Sequence, residues 1–216
     1  MIKERNTSTP IAVEGLPFIA GALLVTAVFS ALGWTIPAVL GLLVTLFIAF
    51  FFRNPQRITP PDEHAVVAPA DGRVIYLGPA EDEVSGQEMT KISIFMSVFN
   101  VHVNRAPLTG RVTDTFYAPG KFLDVRDQRA TFENERRGIV LATAGGARIV
   151  VVQVAGLIAR RIICYLEKGD EIGRGQRYGL IRFGSRLDVY LPQEANVRVR
   201  LDQKTVAGET VLGILP

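Results

Sequence analysis

Tyr178-Gly-Leu-Ile-Arg-Phe-Gly-Ser-Arg-Leu-Asp-Val-Tyr190 sets a Gly184-Ser185 pair between two apolar, β-type runs. Runs of the same kind recur on both sides of it, at 65–68, 73–77, 91–96, 101–104, 111–117, 139–143, 148–154, 161–165 and 197–201. Gly, Pro, Asp and Asn punctuate them. Strands this short and frequent predict a mainly β fold, a compact sandwich or barrel. Only 122–136 leaves room for a short helical turn.

Two local patterns sharpen that expectation. In Val67-Ala-Pro-Ala-Asp-Gly-Arg-Val-Ile-Tyr76, Asp71-Gly72 is a turn signal between apolar strands. Leu166-Glu-Lys-Gly-Asp-Glu-Ile-Gly-Arg-Gly-Gln176 is a glycine-punctuated turn leading into the Gly184-Ser185 strand. Together they look like the folding unit of biotin- and lipoyl-carrier domains. A carrier would present a lysine at the tip of the later hairpin, where this chain has Gly184-Ser185. The scaffold is shared while the chemistry differs.

Upstream the composition changes. From Gly15 to Phe52 no residue is charged in 38 positions. A helix of that length would run about 57 Å, too long for a hydrocarbon core of roughly 30 Å. Gly33-Trp34-Thr35-Ile36-Pro37 interrupts the run, so the prediction is a two-helix membrane hairpin over 1–53, with a β-rich domain over 54–216. Lys3 and Arg5 before the run, and Arg53 and Arg57 after it, put both ends on the cytoplasmic side of the inner membrane. A cleaved signal peptide fits less well, because the run far exceeds a signal core.

The net charge of +3 suits a body lying against anionic lipid, with nucleic acid the lesser alternative. Cys164 is the only cysteine, which excludes an intrachain disulfide and a cysteine-rich metal site. His64 and His102 are the only imidazoles, so no metal is expected. Ala144-Gly-Gly-Ala147 lacks the lysine of a phosphate loop and reads as a hairpin turn.

A serine hydroxyl beside an unhindered glycyl carbonyl can attack it in a strained turn, turning the amide into an ester. β-Elimination then severs the chain and leaves a dehydroalanine, which loses ammonia to become a pyruvoyl group. Such a carbonyl forms a Schiff base with an amine and accepts electrons as a carbon–carbon bond breaks. Gly-Ser is also among the commonest turn dipeptides, so the wider context must decide.

That context is specific. Ala68-Pro-Ala-Asp-Gly-Arg-Val74, Met96-Ser-Val-Phe-Asn-Val-His-Val-Asn-Arg105, Phe132-Glu-Asn-Glu-Arg136 and Arg182-Phe-Gly-Ser-Arg-Leu-Asp188 follow the order and rough spacing of phosphatidylserine decarboxylases. The chain resembles the short type of that family over essentially everything after Arg53. The resemblance implies a proenzyme that cuts itself between Gly184 and Ser185, giving associated chains of 1–184 and 185–216. The second chain would be headed by a covalent pyruvoyl group made from Ser185. The substrate implied is phosphatidylserine in the membrane, decarboxylated to phosphatidylethanolamine, with no nucleic acid partner; a homo-oligomer is compatible.

Self-cleavage needs a base for Ser185, and an imidazole oriented by a carboxylate suits that task, which makes His102 and Asp71 the candidates. In longer relatives the segment matching 100–105 carries two histidines. His102 falls on the one that serves decarboxylation, and Asn104-Arg105 falls where the other would stand, so His102 is left to one step or both. Asp71 could equally only shape its turn. Arg182 and Arg186 flank the cleavage point and could receive the lipid phosphate. Glu133–Arg136 could brace the site or form a solvated charge run, and His64 reads as a surface residue of the linker. Two alternatives stay open: a membrane-anchored lipoyl-like adaptor without catalysis, and a pyruvoyl decarboxylase of a soluble amino acid.

Overall fold

A computed structural model describes residues 9–127, 129–157, 161–182 and 184–216. The flanking cations Lys3 and Arg5, and Phe183 of the cleavage motif, lie outside the described residues. The chain divides into two compact units that meet between Gln56 and Arg57.

The first unit is a helical hairpin. Helix α1, Leu16–Ala31, has Pro17 in its first turn, and α2 runs Thr35–Phe51. The turn between them rests on Gly33 at φ +74°, a conformation that favours glycine. Pro37, expected to break the run, sits instead in the first turn of α2, where its missing N–H removes no intrahelical bond. The helices approach closely at Gly41, where a Cβ would press on the Thr26 side chain. Stacked rings of Phe18 and Phe52, 5.8 Å apart, close the open end. Leu24 is 67% and Ile36 75% exposed, so the apolar residues of the hairpin face outward. The stretch Val13–Ala31, 19 residues, is long and apolar enough to cross a membrane, whereas α2 is shorter.

The second unit is mainly β, built on a curled half-barrel sheet. In chain order the strands are β1 Ala65–Val67, β2 Gly72–Glu81, β3 Glu88–Met96, β4 Val103–Arg105, β5 Gly110–Ala118, β6 Arg136–Ala142 and β7 Arg148–Ala155. They continue as β8 Ile162–Cys164, β9 Glu171–Ile172, β10 Arg177–Ile181, β11 Ser185–Leu191, β12 Asn196–Val197, β13 Lys204–Thr205 and β14 Val211–Ile214. The large sheet has the order β13-β2-β3-β11-β7-β6-β5-β9. Two three-stranded sheets accompany it, β1-β14-β12 and β4-β10-β8. The short helix α3, Ala130–Glu133, occupies the segment where one helical turn was expected.

Strand β11 lies between β3 and β7, paired antiparallel with both. All seven of its residues are buried. Because side chains alternate along a strand, Ser185, Leu187, Val189 and Leu191 share one face, and Arg186, Asp188 and Tyr190 the other. Leu187, Val189 and Leu191 belong to the main core with Ile92, Ile94, Ile149 and Val151. Tyr190 joins a smaller cluster with Val150, Val152 and Val154 on the second face. Both faces are covered, and the charges of the second face, Arg186 and Asp188, pair with each other there.

Candidate active site

Ser185 is the first residue of β11 and is fully buried. Its register partners are Met96 at the end of β3 and Ala155 at the end of β7. The preceding Gly184 has φ +69°, in the left-handed region, so the chain reaches the strand through a turn that disfavours any side chain. A second glycine makes room for it: a Cβ built on Gly156 would collide with the Gly184 carbonyl oxygen. Nothing in the sequence marks Gly156, which stands inside an apolar run.

His102 is 2% exposed and stands against this turn. Its Nε2 lies 3.4 Å from the Gly184 backbone N, and its Nδ1 lies 3.0 Å from the carbonyl oxygen of Asn100. A carbonyl only accepts, so Nδ1 carries the proton and donates it to Asn100. Nε2 is then left with its lone pair, facing the N–H of Gly184. Asn100 in turn accepts bonds from the backbone N and the hydroxyl of Ser97, which fixes the loop that presents the ring.

The Ser185 hydroxyl has a soft partner, the thioether of Met96 at 3.4 Å. The same sulfur takes the side-chain amide of Asn104 at 3.9 Å. Asn104, fully buried, accepts through Oδ1 a 2.8 Å bond from Nε2 of Gln153, which also donates to the Ile163 carbonyl at 3.3 Å. The site is thus lined by weakly satisfied polar groups in an apolar core. Met96 opens one of the quoted motifs, whereas Gln153, within an apolar strand, was not singled out in the sequence.

Asp71 is occupied elsewhere. Its carboxylate takes Arg57 Nη2 at 2.8 and 3.0 Å and the backbone N of Ala207 at 2.8 Å. Its partners are therefore Arg57 and the turn before Gly208, while the ring of His102 is oriented by a backbone carbonyl. His64 is exposed, as expected of the linker.

The two arginines beside the turn part company. Arg182 is half-buried at the end of β10. Arg186 is 3% exposed and points to the second face, donating to the Val125 carbonyl at 2.7 Å and the Thr131 hydroxyl at 2.8 Å and pairing with Asp188 at 2.8 Å. Lys91 completes the cluster, 3.1 Å from Asp188 and 3.2 Å from Thr131. Burial pushes the Asp188 carboxyl upward, but the charges of Arg186 and Lys91 outweigh it and hold the group below the usual carboxylate range. Burial lowers the Lys91 ammonium against the pull of Asp188. A cavity of about 590 Å³, lined in part by Tyr76, Lys91, Arg126, Arg186 and Tyr190, opens on this face.

Asn134, at the centre of Phe132-Glu-Asn-Glu-Arg136, is fully buried. It bonds both the N and the O of Leu123 at 2.9 Å and donates to the Ala155 carbonyl at 2.8 Å. It ties the loop before α3 to the end of β7, directly beside the register partner of Ser185. Arg136, half-buried, pairs with Glu83 at 2.7 Å, so it is not a solvated charge.

Among the described residues no group of three His, Cys, Asp or Glu side chains is placed to hold a metal ion. What the arrangement offers is a hydroxyl next to a peptide bond in a glycine turn, and an imidazole nitrogen at the same turn.

The family model described as phosphatidylserine decarboxylase matches residues 44–213. A protein of Geobacter metallireducens, "Phosphatidylserine decarboxylase proenzyme", is 69% identical, with 98% of this chain and all of the relative covered. Proteins of the same name from Geobacter sulfurreducens and Syntrophotalea carbinolica are 68% and 51% identical, each over 98% of this chain and 100% and 99% of the relative. With the match running through both the Asp71-Gly72 turn and the Gly184-Ser185 strand, the chain belongs to the phosphatidylserine decarboxylase family.

Proposed function

We propose that this chain is a membrane-bound proenzyme that cuts itself between Gly184 and Ser185 and then converts phosphatidylserine to phosphatidylethanolamine and carbon dioxide. The observation that carries the reading is the left-handed Gly184 joined to a buried Ser185, with Nε2 of His102 at the same turn. The names of the relatives supply the substrate.

The residues fit the making of a pyruvoyl group. Ser185 Oγ forms a bond to the Gly184 carbonyl carbon as the C–N bond breaks, and the hydroxyl proton ends on the Ser185 nitrogen. Loss of the Ser185 α-proton then expels Gly184 as a carboxylate, with Oγ departing in it. Tautomerisation and attack by water release ammonia and leave the new carbonyl at position 185. Gly156 leaves space for the Gly184 carbonyl, and the Met96 thioether holds the hydroxyl only weakly, so that attack sacrifices little.

A pyruvoyl group supplies an electrophilic carbonyl that takes up an amine and draws in the electrons released when a carboxylate leaves. His102 holds the proton acceptor and donor for the turn at Nε2, its ring fixed by Asn100. The buried walls around Ser185 keep water from the reacting carboxylate, which favours its loss.

The apolar hairpin supports a membrane location, where a lipid substrate is met at its source. Positive charge at both flanks of the run favours the cytoplasmic side of the inner membrane. Arg182, half-buried beside the turn, is the nearer of the two flanking arginines to solvent and suits the lipid phosphate. The two pieces stay together because β11 pairs on both sides.

Denaturing intact-mass analysis tests the reading. Two species splitting after Gly184, the smaller lacking an amino terminus, are expected, together with carbon dioxide release from phosphatidylserine but not from free serine. A single uncut, well-folded chain would overturn it in favour of a non-catalytic membrane adaptor.

A further inference from the structure

We propose that Asn104, held in place by Gln153, donates the hydrogen bond that stabilises the departing Oγ when the ester at Ser185 is eliminated. The inference rests on the self-cleavage reading above and adds to it a residue for its second step.

Asn104 is fully buried, and its Nδ2 meets the Met96 sulfur at 3.9 Å. A thioether is a poor acceptor, and a dry amide donor without a good one is costly. Gln153 prevents the amide from turning away, since its Nε2 engages Asn104 Oδ1 at 2.8 Å and is itself anchored at Ile163. Nδ2 is thereby fixed on the same sulfur that receives the Ser185 hydroxyl.

In the uncut chain the Ser185 hydroxyl donates to that sulfur and gives Asn104 nothing. After the acyl shift the situation inverts. Oγ has lost its proton and become an ester oxygen, and when the Cβ–Oγ bond breaks, its electron pair stays on Oγ as Gly184 becomes a carboxylate. The α-proton passes to a base, and the second carbon–oxygen bond is retained. Negative charge therefore develops on an atom that shares the Met96 sulfur with a donor that had no strong acceptor before. A donor pre-set for charge that forms only during the reaction lowers the barrier without needing to reorganise. Gln153 is a positioning residue in this scheme.

The test follows purified wild-type, Asn104→Ala, Asn104→Asp, Gln153→Leu and Asn104→Ala/Gln153→Leu chains for conversion to two pieces, with and without hydroxylamine. Removal of the donor is expected to slow conversion by roughly a hundredfold. The ester should accumulate, so hydroxylamine should split the Asn104 variants into a Gly184 hydroxamate and a small chain beginning with a free Ser185 amine. Gln153→Leu should slow conversion less and add nothing in the Asn104→Ala background. In a Ser185→Ala chain, which cannot cut, Asn104→Ala should still unfold in one cooperative transition, lowered only by loss of the buried bond from Gln153, so that slow conversion is not a failure to fold.

Wild-type conversion rates in the Asn104 variants would overturn the inference, as would a stalled precursor that resists hydroxylamine or fully additive effects of the two substitutions. Should the wild-type chain itself stay whole, the self-cleavage reading fails instead.

Discussion

Nε2 of His102 lies 3.4 Å from the backbone N of Gly184, while Nδ1 of the same ring is held 3.0 Å from the carbonyl of Asn100. The ring is oriented by its own loop and needs no carboxylate to set its tautomer. His102→Ala is therefore expected to lower phosphatidylserine decarboxylation by at least a hundredfold. His102→Gln, which can still meet the Gly184 N–H but cannot carry a proton, should be equally inactive. Carbon dioxide release from lipid vesicles, read beside a gel of the two pieces, separates a failure to cut from a failure to turn over.

Gly156→Ala sets a methyl group against the Gly184 carbonyl oxygen, so the turn must move. Precursor should accumulate while the fold is retained. Gly184→Ala has open space around its Cβ but imposes an L side chain on φ +69°, at a cost of about 1–2 kcal/mol. The two variants thus perturb one turn by different means, and time-resolved gels of freshly made protein should find both slow to convert.

Arg57 and Asp71 form one clamp, their side chains 14% and 15% exposed. Asp71→Asn and Arg57→Ala should each lower the stability of the uncut Ser185→Ala chain, by about 1–3 kcal/mol. Similar losses from the two, measured by urea denaturation, would assign Asp71 to the clamp. A block of cleavage by Asp71→Asn alone, with stability intact, would instead tie the carboxylate to His102.

Acid should weaken the uncut chain through Asp82 and Asp188. Burial raises the Asp82 carboxyl, but Arg148, Ser85 and the Val84 and Ser85 backbone N–H groups overcome it and hold the group well below 3.8; Arg186 and Lys91 hold Asp188 low in the same sense. A depressed carboxyl contributes stability that is present above its unfolded value and lost as pH falls through the folded one. Melting temperature should therefore be level near neutrality and decline below about pH 4. Asp82→Asn should lower the plateau and flatten the decline.

Much of this was legible in the sequence. Period-two patterning announced the β domain because apolar alternation records which face is buried, and a long charge-free run announced the hairpin. Other features were not visible. Strands β9, β13 and β14 are too short to show a period, and 197–201, patterned like a strand, contributes only Val197 to a sheet, as the second residue of β12. Ser185, Gly184 and His102 were singled out through motif and chemistry, and the structure sets them at one turn. Gly156 and Gln153 were missed because what matters in them is a contact with a residue tens of positions away. Arg186 reads in sequence as a candidate for the lipid phosphate, and only the register of β11 turns it inward toward Asp188 and Thr131.

Strand β11 sits in the interior of an eight-stranded sheet, with β3 on one side and β7 on the other. The proposed cut at its first residue would sever the last 32 positions from the rest without freeing them. On that proposal assembly has to precede scission, because a separate short chain would have to find a slot that exists only once its neighbours are in place. A two-piece protein made in this way could be made once. If it is unfolded, it should not regain its form, whereas the uncut Ser185→Ala chain should do so.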